Sequence, residues 1–390
     1  MNLRTFLIKM NHAGLVIAAL MFITACKELQ SRKNIQTGSD TVKIEIKYAR
    51  GFQIEDFGRY RLMNVFNPWQ NLEGRKLSYL LYPRGTSLPG SVTYDVAIGI
   101  PVRRVICMST THIAMLRVLG ETGSIAGISG KQYINDSVVL AGIENGKIPD
   151  IGYEQSLNYE MILSVKPDVI FMYGVTGDVT ATVSRLESLG IPVVLNAEYL
   201  ENSPLARTEW IKFMSCFYDK LEEGIRFFNK QDEDFLKLKG LVDKISDKPS
   251  VMTGLPWKNT WWVPGGRSFA AELIRDAGGR YIWESDTSHE ALPLDIESVY
   301  DRAGEADIWI NSGTASSLED IVRTDPRLAL FRPYKESMIY NNNARLNPYG
   351  GNDYWESGVI CPASILKDLI SIFHPAVIKD HKLTYYRKLE

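Results

Sequence analysis

Asn158-Tyr159-Glu160-Met161-Ile162-Leu163-Ser164-Val165-Lys166-Pro167-Asp168-Val169-Ile170-Phe171 sets a short helix signal directly before a hydrophobic strand signal. The pattern returns at Asp295-Ile296-Glu297-Ser298-Val299-Tyr300-Asp301-Arg302-Ala303-Gly304-Glu305-Ala306-Asp307-Ile308-Trp309-Ile310. In each, an Asn or Asp stands two residues before a glutamate, and the strand is entered through Asp. Asn158 and Asp295 suit helix N-caps, and a first-turn acid suits the helix dipole. Repetition predicts two similar lobes, each presenting one glutamate at the same place. Such a matched pair can dock on a two-fold partner.

Outward from these stretches the same alternation continues. Val105–Met108, Ile125–Ile128, Val169–Met172 and Val193–Leu195 read as strands, with helices over Ile113–Leu119 and Val179–Leu189. A second series places strands at Val251–Gly254, Ile308–Asn311 and Met338–Tyr340, with helices at Phe269–Ala277 and Ile365–Phe373. Apolar strands alternating with helices predict parallel sheets covered on both faces. Between the series, Asp219–Lys244 carries Leu221, Ile225, Phe228, Phe235, Leu238 and Val242 at mostly helical intervals. Such a helix is roughly 35 Å long, a connector between lobes; on periodicity alone an ordinary surface helix pair fits as well. Ahead of the first series, Val42–Tyr48 alternates with period two and Leu77–Tyr82 reads as another strand.

The expected fold is therefore α/β. It has two Rossmann-like lobes with mostly parallel sheets (104–203 and 248–390) and a helical connector (204–247). A β-rich N-terminal extension (42–103) packs on the first lobe.

The N-terminus reads as an export signal: Arg4 and Lys9, an apolar run Ala13–Phe22, then Ile23-Thr24-Ala25-Cys26. The run is short for a membrane span. A cysteine after small residues resembles the lipobox of bacterial lipoproteins, which implies acylation of Cys26, a signal over 1–25 and a polar tether over 26–41. The net charge is −2, and loss of two cations with residues 1–25 takes it to −4. That mild acidity argues against nucleic-acid binding. Besides Cys26 only Cys107, Cys216 and Cys361 remain, so no disulfide framework is expected, though one bridge is possible.

These segments together resemble the class III substrate-binding proteins of ABC importers, which serve iron–siderophores, haem and vitamin B12. The resemblance rests on Arg104–Ser109, Asn158-Tyr159-Glu160 through Ile170, Leu189-Gly190-Ile191-Pro192-Val193-Val194, Phe269 through Gly278-Gly279, and Glu297 before a strand. Gly350-Gly351-Asn352-Asp353-Tyr354-Trp355-Glu356 with His374-Pro375 resembles a subgroup of Bacteroidetes-type bacteria. The resemblance implies a monomer, lipid-anchored in a Gram-negative periplasm, that takes a ferric siderophore, haem or cobalamin into the inter-lobe cleft. The complex is then handed to the permease and ATPase subunits of an importer. It implies that Glu160 and Glu297 meet permease arginines, and it implies no resident cofactor. Alternatives are a two-lobed chelatase, or a surface lipoprotein capturing iron complexes without an importer.

Ligands of open α/β sheets lie beyond the carboxyl ends of strands. Those ends lead to Thr110, His112, Tyr133 and Tyr173 in the first lobe, and to Trp257, Trp261, Trp262 and Arg345 in the second. Tyr354 and Trp355 stand in a Gly/Asn-rich loop, and Arg267 in Gly265-Gly266-Arg267-Ser268. Aromatic walls suit a large planar ligand, and the two arginines an anionic chelate. Metal ligation by protein is weakly supported, His112 being the one histidine near a cleft turn. Nucleotide-binding, zinc-protease and serine-hydrolase signatures do not occur.

Overall fold

The computed structural model describes residues 41–70, 73–90, 92–153, 156–174 and 179–390. Cys26 and the export signal lie outside the described residues. No helix among the described residues is long and apolar enough to cross a membrane.

The extension is one sheet in the order β1-β2-β3-β4-β5: β1 (Val42–Lys43), β2 (Phe52–Asp56), β3 (Arg61–Phe66), β4 (Lys76–Pro83) and β5 (Val96–Ile100). Alternate residues Phe52 and Ile54, Met63 and Val65, Tyr79 and Leu81, Ile98 and Ile100 enter one core with the first lobe. Period-two alternation thus makes one face of the sheet a wall of that lobe.

In lobe 1, β6 (Val105–Cys107), β7 (Ile125–Ile128), β8 (Val169–Met172) and β9 (Val193–Leu195) form a parallel sheet ordered β7-β6-β8-β9. Its two faces lie in separate cores. Val105, Cys107, Val169, Phe171 and Val194 point to the extension and α1 (Thr110–Val118). Ile106, Ile170, Met172, Val193 and Leu195 point to the opposite layer, which includes Ile162 and Val165 of α2 (Tyr159–Val165). Burial on both faces is why these strands read as unbroken apolar runs.

The connector is a helical hairpin. The first helix, α3 (Pro204–Cys216), is buried at every residue except Arg207. The second, α4 (Leu221–Gly240), contributes Leu221 and Phe228 to the lobe 1 core and Phe235 to the lobe 2 core. The long helix expected over Asp219–Lys244 is present over Leu221–Gly240, and the chain turns into it at Asp219, in the left-handed region at φ 56°. The two helices run so close that a Cβ at Gly224 would sit 2.4 Å from Ser215 Oγ.

Lobe 2 carries β10 (Ser250–Thr253), β11 (Pro256–Trp257), β12 (Thr260–Pro264), β13 (Arg280–Tyr281), β14 (Ala291–Leu294), β15 (Ile308–Ile310), β16 (Ile339–Asn341) and β17 (Arg387–Lys388). The main sheet is β13-β10-β15-β16-β17, parallel except for β17, and β11-β12-β14 is a small antiparallel sheet. Helices α5 (Phe269–Asp276), α6 (Ile296–Ala303) and α7 (Pro362–Phe373) complete the lobe.

Only Val42 and Lys43 of the expected strand Val42–Tyr48 pair in a sheet. Beyond them a buried carboxylate takes the place of a strand ladder. Glu209 of α3 accepts from the backbone N–H of Lys47 (2.7 Å), Tyr48 (2.7 Å) and Ala49 (2.9 Å), and pairs with Lys212 at 2.7 Å. Glu201 accepts from the N–H of Arg50 and Gly51, each at 2.9 Å. Removing one member of a buried charged network strands the rest. Glu209→Ala is therefore expected to lower unfolding free energy in urea by about 3 kcal/mol or more. A loss under about 1 kcal/mol would mean that water replaces the carboxylate without cost.

Candidate functional site

The two main sheets share a topology. Numbered by order within each lobe, both run 2-1-3-4: β7-β6-β8-β9 and β13-β10-β15-β16. The carboxyl ends flanking the switch point are the usual ligand positions of such sheets. In lobe 1 they carry Thr110 and Tyr173, and in lobe 2 the turn into β11 and the loop at Asn311.

At one end the lobes touch. Asn347 Nδ2, in the loop after β16, donates to the carbonyls of Gln132 (2.8 Å) and Ile134 (2.7 Å) after β7. The Asn135 N–H donates to Glu356 Oε2 at 2.7 Å, and Thr110 Oγ1 to the Trp355 carbonyl at 3.3 Å. A Cβ at Gly351 would lie 2.6 Å from the Gln132 carbonyl oxygen, so only glycine permits this approach. Burial pushes the Glu356 carboxyl up to about 7, against the opposing pull of the Asn135 N–H.

At the other end, past β9 and α5, the lobes separate around a cavity of about 920 Å³. Lys47 and Arg50 of the extension and Glu201 of lobe 1 line one side, and Arg267, Arg275 and His289 of lobe 2 the other. Glu201 is spent on backbone donors, Arg275 pairs with Glu272 (2.7 Å), and Lys47 with Asp232 (2.5 Å). Arg50 and Arg267 are exposed and have no ion-pair partner among the described residues, while Glu284 is the unspent acid on the same wall. Beside the cavity Arg207 donates to the carbonyls of Glu201 (2.8 Å) and Tyr199 (2.9 Å), and its guanidinium lies 4.4 Å from the Phe269 ring centroid across the interface. Thr111 Oγ1 donates to buried Glu198 at 2.6 Å, and burial raises that carboxyl.

The expected ligand residues separate by exposure. Tyr133, Trp257, Trp262 and Trp355 are exposed, and Tyr173 is half-buried with its ring 6.1 Å from Tyr199. Trp257 and Trp262 share the open face of β11-β12, because Trp257 pairs with Thr260 and Trp262 lies two residues on. Trp261 points the other way. It is fully buried against Trp309 and Phe331, with Nε1 donating to the Thr253 carbonyl at 2.9 Å, so it is core and not a cleft wall. Tyr354 is likewise buried among Tyr385 and Tyr386. Arg345 is tied to Asp353 at 2.9 Å. His112 has no exposed surface, and burial lowers its pKa to about 3, which keeps the ring neutral and out of reach of a ligand. The described residues contain no group of three His, Cys, Asp or Glu able to hold a metal.

Sequence reasoning missed Arg50, two residues beyond the segment that read as strand, and Tyr153, whose ring lies 6.4 Å from Tyr133. It also missed Asn347 and Glu356, whose partners are about two hundred residues away in the chain.

Glu160 and Glu297 are both exposed, in the first turns of α2 and α6, and each helix precedes the third strand of its lobe. Asn158 Oδ1 caps α2 by accepting from Met161 N–H at 2.9 Å, and Asp295 Oδ1 caps α6 by accepting from Ser298 N–H at 2.7 Å. Capping is therefore done by neighbours, leaving the glutamates available. Glu297 forms an exposed ion pair with Arg327.

Residues 105–345 match the family model described as periplasmic binding protein. An uncharacterised lipoprotein of Methanocaldococcus jannaschii is 30% identical over 303 residues, covering 75% of this chain and 70% of that protein. A periplasmic heme-binding protein from Pseudomonas aeruginosa superposes with a TM-score of 0.57 at 14% identity, over 74% of this chain and 98% of that chain. An ABC transporter substrate-binding protein from Listeria monocytogenes superposes with a TM-score of 0.51 at 16% identity, over 70% and 99%. At such identities the structural likeness concerns the fold.

Because its folded pKa is raised, Glu356 favours the folded state most below its ordinary value of 4.5, and that contribution is lost as pH rises through about 7. Glu356→Gln is expected to remove up to about 3 kcal/mol of this pH-dependent loss. Urea unfolding across that window checks it, and parallel curves for the two proteins would contradict it.

Proposed function

The chain belongs to the periplasmic binding protein family, and we propose that it is the lipid-anchored, solute-capturing component of an ABC importer. Its cargo is an iron complex, haem or a ferric siderophore, or else the cobalt complex cobalamin. The observation that carries the reading is the inter-lobe cavity with Arg50 on one wall and Arg267 on the other, neither committed to an ion pair among the described residues. Its volume of about 920 Å³ falls within the roughly 300–1,000 Å³ of small-molecule sites. Guanidinium groups bind carboxylate, hydroxamate and catecholate oxygens through paired N–H donors. Tyr133, Tyr153, Trp257, Trp262 and Trp355 are exposed but do not line this cavity, whose one aromatic lining residue is Tyr48. Cys26 supplies the anchor, and the heme-binding neighbour supports the ligand class.

Glu160 and Glu297 are the proposed docking points for permease arginines. The equal strand order of the lobes, with each glutamate on the helix before the third strand of its main sheet, supports docking on a two-fold membrane partner.

Absorption titrations with haem, cobalamin and a panel of ferric siderophores test the ligand. One of them is expected to saturate the protein at one equivalent, and Arg50→Ala or Arg267→Ala to weaken it about tenfold, the scale of a charged hydrogen bond. No spectral change with any member contradicts the cargo. For docking, Glu160→Lys with Glu297→Lys is expected to leave ligand affinity intact and to reduce reconstituted transport at least tenfold, with single Ala variants milder and salt-sensitive. Full transport by the double reversal returns both residues to helix stabilisation.

A further inference from the structure

We propose that each docking point is an acid joined to an apolar contact, Glu160 with Leu163 on lobe 1 and Glu297 with Tyr300 and Leu330 on lobe 2, and that the lobe 2 point receives an apolar side chain of the permease in a preformed pocket. The proposal rests on the docking reading above and adds to it what the partner must present: a basic residue with a large apolar neighbour.

The two lobes repeat the arrangement. In α2 and in α6 a large apolar residue follows the glutamate by three positions, which puts both on one helix face. Leu163 is 43% exposed and Tyr300 38%, on helices that bury their other face. Scattered exposed apolar residues are ordinary, but the same spacing from an exposed acid on equivalent helices is not scatter.

Lobe 2 adds a cavity. Ile296 and Phe331 form the floor, Tyr300 and Leu330 the walls, and Glu297, Asp301 and Arg327 the rim. Tyr300 packs edge-on to Phe331 with ring centroids 5.2 Å apart, so one wall is fixed. Leu330 is 51% exposed. The volume, about 160 Å³, is well below the roughly 300 Å³ of small-molecule sites and suits one side chain. An apolar pocket bordered by charge is the usual anatomy of a binding hot spot.

Charge decides the occupant. Arg327 is already shared by Asp325 (2.7 Å) and Glu297, and Asp301 stands beside them, so acids outnumber cations around the pocket. A cationic partner is favoured, and a second copy of this acidic-rimmed surface is not. The Glu297–Arg327 pair is exposed on both sides and correspondingly weak, so a permease arginine can replace Arg327 while Asp325 retains it.

The test measures binding of the full chain to the permease–ATPase complex of its own importer in lipid nanodiscs, at low and high salt, with ligand affinity and thermal unfolding as controls. Leu163→Ser, and Tyr300→Ser with Leu330→Ser, are expected to weaken binding about tenfold at both salt concentrations. Glu160→Gln and Glu297→Gln are expected to lose less at high salt than at low. If the serine variants bind like wild type while the glutamine variants weaken, the apolar contacts are overturned and glutamate docking stands. If neither set weakens binding, the docking reading itself falls. Sedimentation velocity covers the remaining occupant: a wild-type dimer abolished by Leu330→Ser assigns the pocket to a second copy and overturns the proposal.

Discussion

A parallel sheet buried on both faces offers neither face to a ligand, so cargo is left to the loops and the segments packed around the sheet, and this constraint shapes the whole protein. In lobe 1, Ile106 and Cys107 point into different cores, as do Ile170 and Phe171. Neither face is free to bind anything. The loops after β7 and β16 carry the inter-lobe hydrogen bonds of Asn347 and Glu356 at one end. At the other end the cavity is lined by the segment between β1 and β2, the residues after β9 and the residues around α5.

The arginines depend in turn on buried carboxylates. Arg50 projects from a segment with little ladder of its own, held by Glu201 and Glu209 of the connector region. The hairpin of α3 and α4 thus has two tasks. Phe228 and Phe235 tie one helix into both lobe cores, and the acids at and before the other helix hold the cavity wall. Stability of the connector and geometry of the cavity are one problem, because both rest on the same helical hairpin.

Much of the α/β framework was legible because doubly buried strands are short apolar runs bounded by helices, and Val169–Met172 or Val193–Leu195 admit little else. Three features were not. The alternation of Val42–Tyr48 looked like a strand because sequence cannot show that a glutamate some 160 residues away receives its N–H groups. The turn Lys258-Asn259 lacks the usual glycine, yet both residues adopt positive φ, at 48° and 63°. Without that turn the β11-β12 hairpin is invisible, and so is the parity that buries Trp261 while exposing Trp257 and Trp262. Aromatic density did not show which rings face outward. The doubled glutamate was readable because local capping chemistry marks both helix starts.

The proposed cargo position lies between the lobes, at the end where β9 and α5 approach. Hydrogen–deuterium exchange with and without saturating haem, or whichever ferric complex binds, tests this most directly. Ligand-induced protection is expected on both walls at once, in residues 46–50 of the extension with 201–206, and in 266–289 of lobe 2. Protection confined to one lobe, or to the outer strands of the extension, would contradict it.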